Sequence, residues 1–378
     1  MTSSISLRRL IFYVTTWGYV VTNILVAWLA SLSMPLMAVR ESWMILLLFF
    51  LFLSRSYVAL AFLAIICFYG ASPFVEGLQT IQLLGFVYGI RDIFLLTMLI
   101  ELCRYKGDSD VSKKEIFHFI YFVLFVSLFD SITSNVLGMN IAEIVFRTSD
   151  YYSNKGVDIN LSNGLLGDRI GAPLYSPNLL CTLLACCFFF DHRITPSKWM
   201  VKLFSFIVVA FTMSKVIVFS LAFYVIRTKW KLPVILGLLS LFPFYLLLES
   251  YYATLTPGIL KYHTASLLGH FHAFAMALEN DLFSFIPEPI GSHSIAMQVI
   301  NQGTDSGAGI ESIILARLSE LKVYYFIVIA YIIYSLFQLK NNKEEKFITF
   351  FVVLSLLTAT SNQPVAFIPA LFLLKATK

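Results

Sequence analysis

The stretch GLLGDRIGAPLYSPNLLCTLLACCFFF, residues 164–190, sets Asp168 and Arg169 at the entrance of an apolar run. Gly167, Gly171 and Pro173 make the approach irregular, and Pro177 and Asn178 interrupt the first turns of the apolar helix behind it. A guanidinium held by such a turn presents several donors to an oxyanion, as a phosphate clamp requires. The same Arg169 also reads as an interfacial arginine that pairs with its neighbour or reaches back to water. Asn178, in the same turn, joins it as a candidate substrate contact.

Other polar residues stand out against apolar surroundings. Lys215, in FTMSKVIVFS, lies between two short apolar runs. An ammonium at mid-bilayer costs about 2.5–3.5 kcal/mol, so Lys215 either snorkels from a helix end or faces a wet, anion-binding cleft. Arg91 and Asp92, in GFVYGIRDIFLLTML, either neutralise a shared cavity or line a substrate path. Asp130 is similar but nearer a helix end, which favours a structural role. His270 and His272 are two apart and do not share a helical face, which argues against joint metal ligation. Each reads as a surface histidine, with phosphate binding or proton shuttling as the functional alternative. Glu311 heads a helix, where the dipole alone favours a carboxylate, and it is also the candidate general base. Arg317 is not on the face of Glu311 and needs a partner, for which Glu320 at i+3 is nearest. No Cys/His spacing suits a metal and no carboxylate cluster supplies hard oxygen ligands, so neither a metal nor a cofactor is expected.

The elements that must hold these residues are dictated by composition. Of 378 residues 58% are apolar and 13% charged, with 36 phenylalanines; the mean hydropathy is +0.81. Such a chain is an all-α polytopic membrane protein. The net charge of +5 is spread over short loops and describes topology, not nucleic-acid binding. The five cysteines sit in or beside apolar runs, where no disulfide framework is expected. The first apolar run is too long for a cleaved signal and reads as a span.

Apolar runs at 10–30, 42–54, 57–72, 78–101, 116–137, 173–190, 200–213, 216–226, 232–249, 323–339, 347–360 and 365–374 give about twelve spans. Several are short: a helix of 11 to 14 residues covers about 16–21 Å of a roughly 30 Å core. Short runs come in pairs broken by LFLSRSYVA, FTMSK and TATSNQPVA. Hairpins of short helices fit better than kinked long ones, because Lys215 and the Asn-Gln-Pro group need a wet setting. With the N-terminus inside, most of the 27 lysines and arginines fall on the cytoplasmic side. One membrane domain then spans 1–378, with exterior loops at 139–172 and 251–321 folded back over the membrane mouth. Four of the six histidines lie in the second loop.

From residue 164 to the C-terminus, four pieces resemble the O-antigen polymerase (Wzy) and O-antigen ligase superfamily of bacterial envelope glycosyltransferases. DRIGAPLYSPNLL is similar to that family's Arg-Gly-Pro-Asn entry to a middle span, and FTMSK to its Thr-x-Ser-Arg break. GHFHAFAMALENDLFSFIPEPIGSHS resembles the Gly-Arg-to-Gly stretch of the large periplasmic loop, and ESIILARLSELKVYYF the segment closing it. The earlier spans match in character only. The pattern is not fully kept: Lys215 and His270 stand where arginines are usual, Glu311-Ser312 replaces the ligases' His-Asn pair, and Lys322 takes a glycine position. A Glu-Ser pair is more familiar among polymerases.

The resemblance implies a GT-C-like bundle in the inner membrane with its active site facing the periplasm. It implies transfer of a growing glycan from undecaprenyl diphosphate to another lipid-linked repeat unit, inverting and without metal. Arg169 and Lys215 would stabilise the diphosphate with His270 assisting, and Glu311 or His272 would serve as base. Arg91, Arg317 and Asn178 would contact substrate. Partners would be the undecaprenyl-diphosphate-linked oligosaccharide, membrane lipid and a chain-length regulator. The rival readings are a ligase, with lipid A–core as acceptor, and a flippase. A flippase predicts charges throughout the spans and internal repeats. The sequence carries few of the former and none of the latter.

Overall fold

The computed structural model describes residues 6–72, 80–105, 111–139, 141–153, 172–190, 203–204, 207–208, 246–247, 249–255, 283–291, 312–339, 342–357 and 363–376, with positions 261, 264, 268 and 271. All regular structure among these residues is helical. Three of the described helices, Leu7–Trp28, Pro35–Leu53 and Lys113–Ser134, are long and apolar enough to cross a membrane. That is the character of a membrane protein, in which helices satisfy every backbone polar group internally.

The first of these is α1 (Leu7–Trp28), which contains a π-helical turn at Val14–Gly18. The second comprises α2 (Ser33–Arg40) and α3 (Trp43–Leu53). Next come α4 (Tyr57–Ala71), α5 (Thr80–Arg104) and α6 (Lys113–Ser131). Two short helices, α7 (Ile141–Phe146) and α8 (Thr148–Ser153), precede α9 (Pro177–Phe190). The C-terminal part supplies α10 (Ile313–Leu321), α11 (Tyr325–Gln338), α12 (Asn342–Leu357) and α13 (Ile368–Ala376).

These helices are apolar on both faces, as elements between a core and lipid must be. On α3, Trp43, Leu47 and Leu51 are buried while Ile45, Phe49, Phe52 and Leu53 point outward. On α11, Val328 and Tyr331 are buried while Phe326, Ile333 and Phe337 are exposed. Helix α11 runs antiparallel to α4, with Tyr331 stacked on Phe62 at 4.1 Å and Tyr324 stacked on Tyr69 at 3.7 Å.

Of the three predicted breaks, LFLSRSYVA lies wholly within the described residues and TATSNQPVA only from Gln363 onward, and the helices on either side of each pack against one another. Between α3 and α4, Arg55 adopts φ 55° and Ser56 N donates to Leu51 O at 2.9 Å. Lys375, in the last turn of α13, reaches Glu344 Oε1 in the first turn of α12 at 2.9 Å, so this pair is a hairpin too. The FTMSK break, with Lys215, lies outside the described residues.

One end of the bundle is basic. The Arg8 guanidinium lies 4.1 Å over the Tyr105 ring, Arg9 pairs with Glu115 at 2.5 Å, and Lys375 Nζ donates to Tyr105 O at 2.9 Å. Here Ser112 and Glu115 form a capping box that starts α6: Glu115 N donates to Ser112 Oγ at 3.3 Å and Ser112 N to Glu115 Oε2 at 2.7 Å.

Glu143 joins α7 to α8. It accepts from Thr148 N at 2.8 Å and Ser149 N at 3.1 Å, and from both hydroxyls. Burial pushes this carboxyl up, but the Ser149 and Thr148 hydroxyls and the two amides outweigh burial and hold it below its ordinary value. A carboxylate with a lowered folded-state pKa contributes stability above its unfolded value, and that stability is lost as pH falls through the folded one. Glu143→Gln is therefore expected to lower the thermal midpoint at neutral pH, with the deficit closing as the pH drops below the ordinary 4.5. Paired melting curves across that range test this, and a deficit of constant size would refute it.

Candidate functional site

Helix α5 carries the charges that organise the interior. Successive residues on a helix are rotated by about 100°, so Arg91 and Asp92 address different neighbours instead of each other. Arg91 lies about 20 Å along the axis from Arg104 at the basic end.

On the Arg91 side the partner is Glu41, at the junction of α2 and α3. Arg91 Nη1 donates to Glu41 Oε1 at 3.1 Å. Arg40 approaches the same oxygen with Nε at 3.2 Å and Nη2 at 3.0 Å. Gln363 Nε2 reaches it at 3.4 Å, and Trp43 Nε1 donates to Oε2 at 3.0 Å. Arg40 Nη1 donates in turn to Asn23 Oδ1 at 3.0 Å and Tyr151 OH at 3.2 Å. This centre gathers α1, α2, α3, α5, α8 and the segment before α13. Among the described residues it holds two guanidiniums and one carboxylate.

On the Asp92 side the partner is Arg317 of α10. Arg317 Nε lies 3.3 Å from Asp92 Oδ2, and its Nη1 pairs with Glu320, so the i+3 partner expected from sequence does form. Asp92, Arg317 and Glu320 are all buried. Among the described residues this centre holds two carboxylates and one guanidinium.

Residues 283–291 cross the bundle beside both centres. Ile290 N donates to Gly70 O at 3.3 Å, and Glu288 N donates to Glu320 O at 2.7 Å. Lys322 Nζ pairs with Glu288 Oε1 at 3.1 Å. Gly291 adopts φ 95° and packs directly on Gly89, two residues before Arg91. Lys322 separates α10 from α11 with φ 53° and ψ −126°, a conformation that favours glycine.

The entry to α9 is pinned nearby. Ser127 Oγ donates to Ala172 O at 3.0 Å, and Tyr175 OH donates to Phe146 O at 2.5 Å. The Tyr175 ring lies 4.3 Å from that of Tyr151, whose hydroxyl accepts from Arg40. The end of the DRIGAPLYSPN stretch from Ala172 onward therefore packs against the residues that back the Arg40–Glu41–Arg91 centre.

Of the residues singled out in the sequence, Arg91 and Arg317 thus fall in the two neighbouring centres. Asn178 is in the first turn of α9, where its carbonyl accepts from Thr182 Oγ1 at 2.7 Å. Arg169, Lys215, His270, His272 and Glu311 lie outside the described residues. Ser312, beside Glu311, caps α10 by accepting from Leu315 N at 3.2 Å. Sequence reasoning misses Arg40, Glu41, Asn23 and Tyr151. The second apolar run is expected at 42–54, whereas the helical span starts at Pro35 and takes Arg40 and Glu41 inside. The signal that could have found them is a charged pair flanked by apolar residues on both sides in MPLMAVRESWMILL.

Neither known protein families, nor characterised proteins, nor solved structures give a match to this chain.

Proposed function

We propose that this chain is a lipid-linked glycan polymerase of the O-antigen polymerase type. In this reading about twelve spans form a GT-C-like bundle in the bacterial inner membrane, and the end remote from Arg8 and Lys375 faces the periplasm. The observation that carries the reading is the gathering of two arginines, Arg40 and Arg91, on Glu41 in the interior beneath a segment of the large loop. Buried cations of this kind suit a reaction whose leaving group is a diphosphate, because stabilising developing charge and positioning the reactants supply most of the catalysis. The glycine-type backbone at Lys322, where the family pattern has glycine, lends further support.

The chemistry is built from those parts. A sugar hydroxyl of one repeat unit attacks the anomeric carbon of the growing glycan, and Glu311 accepts the hydroxyl proton. The bond from that carbon to the diphosphate oxygen breaks, and the electron pair leaves on the diphosphate, held by arginines. Attack opposite the leaving group inverts the anomeric carbon. Arg169, Lys215 and His270 are assigned to the diphosphate, with His272 as the other candidate base.

Purified chain in lipid, supplied only with lipid-linked repeat unit, is expected to produce a ladder of longer glycans. Arg169→Ala should insert normally and produce none. A wild-type preparation that lengthens nothing, in membranes where the repeat unit is accessible, would falsify the polymerase reading. The buried charges on α2, α5 and α10 favour one alternative, a carrier of lipid-linked sugars, since more charges lie in the interior than the sequence suggested. Sealed vesicles separate the two, because a carrier moves the unextended substrate across and leaves its length unchanged. A ligase would instead require lipid A–core before any product formed.

A further inference from the structure

Three of the most outward-facing apolar side chains belong to no helix. Phe283, Phe285 and Ile286 are 74%, 73% and 78% exposed, against 70% for Phe125 and Leu53 on the membrane-crossing helices. In water, three such side chains within four residues form an apolar patch with a standing hydration cost. Exposure equal to that of lipid-facing positions calls for an apolar partner here as it does there.

The backbone of the segment is prepared for a place without water. Ile286 N donates to Ser284 Oγ at 3.2 Å, Glu288 N to Glu320 O at 2.7 Å and Ile290 N to Gly70 O at 3.3 Å. Pro287 and Pro289 carry no N–H. From Ile286 to Ile290, every main-chain donor is thus either bonded within the protein or absent, which is the condition that lipid imposes on a chain. Glu288, the one charged residue of 283–291, turns to Lys322 at 3.1 Å.

The position of the segment identifies the partner. Ile290 is bonded to the last turn of α4, and Ser284 O accepts from Val323 N at 3.5 Å just before α11. Tyr69 and Tyr324 stack at this same end, and tyrosine collects at the headgroup level of a bilayer. The basic end lies towards the far end of α11, where the Arg104 guanidinium sits 5.7 Å over the Tyr334 ring. Phe68 on α4 and Phe326 on α11, close to the tyrosine pair in sequence, face outward. The apolar tip therefore adjoins the lipid-facing surface of both helices. Those helices are short: 15 and 14 residues span about 21–23 Å of a roughly 30 Å hydrocarbon core, which leaves about 7–9 Å beyond their ends. Acyl chains account for an apolar tip at the end of two helices too short for the bilayer; a protein partner does not.

We infer that residues 283–286 are a lipid anchor, with Phe283, Phe285 and Ile286 seated among acyl chains of the leaflet remote from Arg8 and Lys375. The anchor adds apolar height where α4 and α11 fall short. It also fixes one end of the segment whose other end, Gly291, packs on Gly89. It does not depend on the proposed glycan chemistry.

The test uses the full-length chain in lipid nanodiscs, with Phe285 replaced by trifluoromethyl-phenylalanine and read by fluorine NMR. A nitroxide carried on the lipid acyl chain is expected to abolish this signal, and a water-soluble gadolinium chelate to leave it, as for the same label at Phe326. Loss of the signal to the chelate instead would place the tip in water and overturn the inference. Protection from both reagents would assign the tip to a second copy or another protein, and overturn it equally. A second variant measures the anchoring. Phe283→Ser, Phe285→Ser and Ile286→Ser together should accelerate amide exchange at Glu288 and Ile290 about tenfold with the α4 and α11 amides unchanged, since local opening draws on local contacts. Unchanged exchange at Glu288 and Ile290 would overturn the anchoring role. A chain that lengthens no glycan but loses its fluorine signal to the lipid nitroxide would keep the anchor and lose the polymerase reading.

Discussion

Arg317→Leu is expected to destabilise the folded chain by about 3–5 kcal/mol, the range for removing one partner from a buried ion pair. Arg317 is buried between Asp92 on α5 and Glu320 on its own helix, and its side chain is 6% exposed. Leucine fills part of the volume but leaves two buried carboxylates facing one another without the guanidinium between them. The contrasting case is Arg147, which pairs with Asp150 at 2.5 Å with the two side chains 40% and 41% exposed. Arg147→Leu should cost about 1 kcal/mol or less, since solvent screens an exposed pair. Melting curves of the two variants in the same detergent give the contrast. Restoring neutrality with Asp92→Asn and Glu320→Gln alongside Arg317→Leu should recover most of the loss, because a buried triad replaced by neutral groups is often no less stable. Equal, small losses in Arg317→Leu and Arg147→Leu would mean that α10 is not held to α5 by charge.

The contrast between those two arginines also shows what the sequence discloses. Apolar runs are legible because a helix facing lipid on one side and a core on the other is apolar all round. Runs expected at 57–72 and 78–101 correspond to helices at Tyr57–Ala71 and Thr80–Arg104. Local pairs are legible too: the i+3 spacing of Arg317 and Glu320 puts them on one helical face. Pairs distant in sequence are not, because nothing in a single chain ties Glu41 to Gln363 or Asp92 to Arg317. Arg91 and Asp92 look self-neutralising when written side by side, and helical rotation sends them to opposite centres. Arg40 and Glu41 look like the edge of an apolar run because charge normally marks the membrane boundary; their mutual pairing at 3.0 Å within a span is what offsets the cost of placing them inside it. The Asn-Gln-Pro group of the TATSNQPVA break needs a polar setting, and Gln363 finds that setting at Glu41.

The polar interior depends on a close approach of two backbones, and Gly89→Ala is expected to abolish function while leaving the helices folded. A Cβ at Gly89 would lie 2.6 Å from Gly291 Cα, from Gly291 N and from Ile290 Cγ2, so the obstacle includes main chain that cannot turn aside. Alanine is a better helix former than glycine by about 1 kcal/mol, so α5 itself gains from the change. What yields is the seat of residues 283–291. Lifting Gly291 off α5 withdraws Ile290 N from Gly70 O and loosens the Glu288–Lys322 pair that ties the segment to the start of α11. Amide hydrogen exchange at Glu288 and Ile290 should accelerate by at least tenfold with the α5 amides unchanged, and the glycan lengthening proposed for this chain should fall by at least as much. Gly70→Ala supplies the control. The three atoms nearest its added Cβ all belong to the Ile290 side chain, so the double variant Gly70→Ala, Ile290→Ala should regain protection at Glu288. Gly89→Ala, Ile290→Ala should not, because shortening a side chain does nothing for a clash with main chain. Rescue of both double variants alike would show that the segment is held by its side chain alone and that the glycine contact beside Arg91 is incidental.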